Sequence, residues 1–107
     1  SDTGETAITL KKETANENEI KLSWTHSESV TKYLIHYREA DKKPLHIIDN
    51  QNNPTIIFNI DEEYIPNKNL KSNTNYEFIV YGLINPSEEY LSYGENVIQS
   101  NKLFVHT

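Results

Sequence analysis

The sequence predicts an all-β domain, a two-sheet antiparallel sandwich of seven strands, and three observations carry that prediction. Apolar residues alternate with polar ones instead of recurring at three and four, which is the period of a pleated strand and not of a helix. Short runs of this kind are separated by segments rich in Asn, Asp, Ser, Gly and Pro, at the spacing of a sandwich. Across 107 residues, 7 Tyr, 3 Phe and 1 Trp supply the aromatic bulk of one packed core, and no composition shift divides the chain into two.

Taken in order, Ile8 and Leu10 open the first strand, and Ile20, Leu22 and Trp24 mark the second. Tyr33, Ile35 and Tyr37 define the third, while segments 45–48 and 55–60 supply two shorter ones. Tyr76, Phe78 and Val80 form a long sixth strand, and 103–106, joined by Val97 and Ile98, the last. The connections at 15–18, 25–29, 41–44, 50–54, 61–69 and 85–96 hold the residues that favour turns. Residues 1–6 read as a linker or cloning remnant, and 7–107 as the single domain.

Charge narrows the function classes. A net charge of -6 opposes a partner that must be gripped through phosphates, so neither nucleic acid nor an anionic membrane surface is expected. No stretch approaches the ~20 apolar residues of a spanning helix, and direct membrane insertion is not expected. With 0 Cys the fold rests on its core and not on disulfides. The thirteen Asn residues read as a turn habit, and Asn53 and Asn85 miss glycosylation signals because Pro54 and Pro86 follow them.

Several local patterns, jointly specific, resemble the fibronectin type III family from about residue 7 to residue 107. The run "IKLSW" at 20–24 resembles that family's second strand with its core Trp, and "YLIHYRE" at 33–39 resembles its third strand with paired tyrosines. Leu70 and Tyr76 in "LKSNTNY" resemble the Leu and Tyr that precede the sixth strand, where the Tyr hydroxyl pins a corner. The ending "SNKLFVHT" is similar to the closing strand. The resemblance implies an immunoglobulin-like sandwich. The sequence departs from the family in its long 61–69 segment and in Lys71, Ser72 and Asn73, which stand where Pro-Gly is usual. It also lacks an Arg-Gly-Asp triplet and a Trp-Ser-x-Trp-Ser box.

The outward positions of the same strands are the informative ones for function. Lys32, Leu34, His36 and Arg38 on the third strand, and Glu77, Ile79, Tyr81 and Leu83 on the sixth, should be polar if they met only water. If those strands are neighbours, as the resemblance implies, Leu34, Ile79, Tyr81 and Leu83 form an apolar stripe rimmed by charge, the mark of a contact surface, with His36 a further candidate contact on the same face. Two plainer readings compete with it: strand-favouring residues without a partner, or a stripe covered by a long loop. Tyr90 and Tyr93, in the long 85–96 segment, are further candidate anchors.

Catalytic chemistry is not legible. There is no Cys, no Gly-x-Ser-x-Gly elbow, and only 3 Gly with which to cradle a phosphate. His36 and His46 could approach across neighbouring strands but lack a third ligand for zinc, and Asp61, Glu62 and Glu63 lack the alternation of a calcium loop. No metal and no cofactor are expected. The resulting expectation is a non-catalytic protein-binding or adhesion module of a larger secreted or cell-surface protein, its partner another protein or an adjacent domain of the same chain. The alternative is a structural spacer packed on neighbouring domains, for example beside a carbohydrate-active enzyme.

Overall fold

The computed structural model describes residues 7–26, 28–42, 44–61, 63–65, 69–84 and 97–107. Among them the strands are β1 (Leu10–Ala15), β2 (Glu19–Trp24), β3 (Val30–Glu39), β4 (His46–Asp49), β5 (Thr55–Asp61), β6 (Leu70–Lys71), β7 (Asn75–Ile84), β8 (Val97–Gln99) and β9 (Leu103–His106). One sheet has the order β1-β2-β5-β6; the other has β4-β3-β7, with β8 and β9 both paired to β7. Every pairing is antiparallel except the short one between β5 and β6. The expected all-β sandwich is therefore present.

Among the described residues nine strands replace the seven expected, for two local reasons. Ser100 interrupts the closing strand: its hydroxyl oxygen accepts the Val80 N–H at 2.8 Å and its proton goes to the Asn101 carbonyl at 2.8 Å. A side chain thus takes a bond that the ladder would otherwise make, and β8 separates from β9. The second reason is that Leu70 and Lys71 pair in parallel with Ile60 and Asp61, adding β6.

The asparagines hold turns, as their amide chemistry predicts. The Asn16 carbonyl oxygen accepts the N–H groups of Asn18 and Glu19 at 2.7 and 2.9 Å, closing the β1–β2 hairpin. Asn50 donates to the carbonyls of Asn53 and Thr55, where the chain crosses from one sheet to the other. Asn101 accepts the Leu10 N–H at 2.8 Å and donates to the Leu10 carbonyl at 3.1 Å, imitating a strand neighbour with a side chain.

The inner faces meet in one core, with Leu10, Ile20, Leu22, Tyr33, Ile35, Leu70, Phe78 and Val80 fully buried. Trp24 sets its ring edge-on to Tyr33, at 5.6 Å and 72°, and Tyr37 stacks on Phe78 while meeting Phe58 edge-on. These are the offset and perpendicular geometries that ring quadrupoles favour. Gly82 occupies an inner position where Ile8 and Val30 leave little space, since a Cβ there would lie 3.0 Å from Ile8 Cδ1. The corner expected of Tyr76 is formed: its hydroxyl accepts the Lys71 N–H at 2.8 Å.

Removing the Trp24 ring leaves a cavity that two sheets cannot close by collapsing, so Trp24→Ala should cost ~3–5 kcal/mol. Tyr76→Phe loses one hydrogen bond and keeps the ring, and should cost ~0.5–1.5 kcal/mol. Chemical denaturation of both variants checks the ranking; an unmoved transition for Trp24→Ala contradicts the core assignment.

Candidate functional site

β3 and β7 pair in a register that sets Ile35 opposite Val80, His36 opposite Ile79 and Leu34 opposite Tyr81. Successive strand side chains leave opposite faces. One register therefore sends Ile35 and Val80 inward and leaves Leu34, His36, Ile79 and Tyr81 on the outer face. β4 extends the rows by placing Ile47 beside His36 and Asp49 beside Leu34, and β8 adds Gln99 beside Tyr81. The His36 and Tyr81 rings lie 4.5 Å apart across the strands.

These rows enclose a groove of about 360 Å³ lined by Leu34, His36, Ile47, Tyr81 and Val97. A second hollow of about 260 Å³ shares His36 and Tyr81 as walls and reaches Arg38, Leu45, Glu77, Ile79 and Lys102. Paired charges rim the apolar floor. Lys32 Nζ meets Asp49 Oδ2 at 3.2 Å, and Glu77 takes Arg38 Nε at 3.2 Å and Lys102 Nζ at 3.4 Å, one on each carboxylate oxygen. Desolvation alone would raise the Glu77 pKa, but the Arg38 hydrogen bond and the charges of Arg38 and Lys102 outweigh it and hold the carboxyl below its usual range. Burial lowers the His36 pKa, which favours the neutral ring at the centre of the face.

The other sheet shows what an ordinary solvated face looks like. There the outward residues include Lys11, Glu13, Lys21, Ser23 and Asn59, with Ile57 as the large apolar exception. Glu13 bonds the Ser23 hydroxyl at 2.6 Å and pairs with Lys11 at 3.4 Å. The same fold thus carries one polar outer face and one apolar one.

Of the residues singled out in the sequence, Leu34, His36, Ile79 and Tyr81 come together on this face. Leu83 follows them in register but is only 7% exposed, flanked by Lys32 and Val97, so it underlies the end of the groove and offers no free surface. Tyr90 and Tyr93, with the rest of 85–96, lie outside the described residues. His36 and His46 do not converge: His36 pairs with Ile47 on the outer face, whereas His46 is opposite Tyr37 and stacks on its ring at 5.0 Å. Asp61 accepts the Glu63 N–H at 3.0 Å in a turn, and no group of three or more His, Cys, Asp or Glu is placed for a metal among the described residues. Ile47, Leu45 and Val97 escaped sequence reasoning, although the alternation of Leu45, Ile47 and Asp49 was a signal for the first two.

The family model for the fibronectin type III domain matches residues 6–93. Among solved structures, an FN3 domain of human collagen XX superposes with a TM-score of 0.67 at 21% identity, covering 94% of this chain and 90% of that one. A structure described as a myokine gives 0.66 at 16% identity, with 95% and 96% covered. The FN1-FN3 domains of chicken CNTN1 give 0.64 at 21% identity, covering 95% of this chain but 31% of that one. At these identities the likeness concerns the fold. No curated protein sequence matches the chain.

The burial of His36 has a pH consequence whose sign follows from its depressed pKa. Protonation is harder in the folded domain than in the unfolded chain, so His36 costs no stability above about pH 6.5 and costs progressively more as pH falls through that value, levelling off below the folded midpoint. In an NMR titration the His36 ring should titrate below 6.5, and Tyr81→Ala, which uncovers it, should move the midpoint upward. A midpoint at or above the ordinary histidine value contradicts the desolvated ring.

Proposed function

The chain belongs to the fibronectin type III domain family, and from that premise we propose that it is a non-catalytic protein-binding module whose contact surface is the outer face of the β4-β3-β7 sheet. The asymmetry between the two outer faces carries the reading. One is polar; the other sets Leu34, Ile47, Ile79 and Tyr81 around the His36 imidazole, whose pKa burial lowers. A contiguous apolar patch with a charged rim fits a protein contact, where aromatic anchors in the centre contribute most of the affinity. Its groove is shallow, open and served by few free polar groups, which suits another protein surface better than a small polar ligand.

The setting we propose is a larger secreted or cell-surface protein. The human collagen XX domain and the chicken CNTN1 FN1-FN3 domains are modules of longer chains, which supports that setting. A spacer role is the second reading, and the paired rim favours it. Lys32 with Asp49, and Glu77 with Arg38 and Lys102, leave little uncompensated charge to steer a diffusing partner, so a permanently adjacent domain would serve as well.

The test is a Leu34→Ser, Tyr81→Ser double variant of the domain within its full-length protein. Binding of the cross-linked and identified partner should weaken at least ~30-fold (about 2 kcal/mol), with a melt close to the parent's because both positions lie outside the core. A folded variant that binds as tightly as the parent removes this face from the contact. If the face instead packs on a neighbouring domain, hydrogen exchange at Leu34 and Tyr81 slows in the full-length protein without any added partner.

A further inference from the structure

We propose that the open edge of β4 pairs antiparallel with the same edge of a second copy of this chain, about a two-fold axis at Ile47. The pairing register determines which backbone groups β4 leaves without a partner among the described residues. Asn50 N–H donates to the Tyr33 carbonyl at 2.9 Å, and Ala40 N–H to the Asn75 carbonyl at 2.9 Å. Hydrogen-bonded pairs alternate along an antiparallel ladder. With Leu34 opposite Asp49 and Tyr81, it follows that Ile35 and Tyr37 bond to Ile48 and His46, while Leu34 and His36 bond to β7. The N–H and C=O groups of Ile47 and Asp49 therefore point away from β3, toward the open edge, and the same alternation carried back one step from β4 gives Leu45 that direction too.

The other edges are protected. β1 carries a bulge between Lys12 and Thr14 and the charged side chains of Lys11, Lys12 and Glu13. β6 has 2 residues, and the β8–β9 edge is broken at Ser100. Bulges, charge and shortness are the devices that keep edges from pairing. β4 shows no register shift, and its outward side chain Ile47 is 58% exposed, with Leu45 just ahead of it also exposed.

Self-pairing follows from the symmetry of this edge. The free groups at 45, 47 and 49 are evenly spaced about Ile47, so the strand read backwards offers the same array, and side chains that meet share a face. Ile47 meets the second copy's Ile47, and Leu45 meets Asp49, whose charge Lys32 already balances at 3.2 Å. Ile79, His36 and Ile47 then continue into Ile47, His36 and Ile79 of the other copy as one row across six strands. A pairing of about five residues buries less than the ~1,200 Å² of a stable complex, and each copy carries -6, so the dimer is weak and depends on concentration. Pairing at the β4 edge requires no partner on the outer face.

Sedimentation of the domain from micromolar to millimolar concentrations reads the association, and the absence of Cys allows a clean geometric probe. Across such a hydrogen-bonded pair the Cα atoms lie about 5.5 Å apart, within disulfide range. Ile47→Cys should oxidise to a dimer at least ~10-fold faster than Ile57→Cys, its equally exposed control on the other sheet, because pairing raises the effective thiol concentration. Ile47→Lys should remain monomeric throughout. Both substitutions fall on an exposed side chain, and a melt confirms that they fold. Equal oxidation rates, a parent that stays monomeric at millimolar concentration, or an Ile47→Lys variant that dimerises like the parent each overturn the proposal.

Discussion

The pairing of β3 with β7 determines both the inside and the outside of this domain. Each strand runs 10 residues, and one register places Ile35 against Val80 in the core and His36 against Ile79 on the surface. A slip of a single position would exchange the two sets, putting apolar core residues in water and Arg38 and Glu77 between the sheets. Core packing thus enforces the arrangement of the outer face. The Arg38–Glu77 and Leu34–Tyr81 neighbours are consequences of burying Tyr33, Tyr37 and Phe78.

Around this pair, the remaining structure is tied down by side chains standing in for backbone. Tyr76 reaches back to the Lys71 N–H, and the Thr107 hydroxyl sits between the Thr74 N–H at 2.9 Å and the Lys71 carbonyl at 2.6 Å. Asn101 bonds both polar groups of Leu10, and Ser100 takes a place in the ladder beside Val80. With no disulfide, these polar contacts satisfy backbone groups where strands end and water is partly excluded, which hydrophobic burial cannot do.

Much of this was legible because period-two alternation is a strong signal where one face is buried. Period two puts Trp24, Tyr33, Ile35, Tyr37, Tyr76, Phe78 and Val80 on the inner faces of their strands, and the core holds all of them. The strand count was not legible, because the break at Ser100 depends on a hydroxyl bonding to Val80, twenty residues away. Nor was the parallel contact of Leu70 with Ile60, which no local pattern encodes. For the candidate face, alternation told which side Leu83 faces but not how covered it is, since cover comes from neighbours on other strands. For Ile47 the alternation of its own short strand marks a face, but its place beside His36 is a matter of pairing.

The bonds between Asn101 and Leu10 have a mechanical meaning. Leu10 starts β1 beside Asn101, whereas Thr107 lines the same hollow as Glu17 and Asn18, beyond the far end of β1. The chain thus enters at one end of the sandwich and leaves at the other, along a body whose longest extent is 45 Å. A pull between those ends runs along the strands and loads the Asn101–Leu10 clamp and the β7–β9 ladder in shear, with their hydrogen bonds sharing the force at once instead of opening one by one.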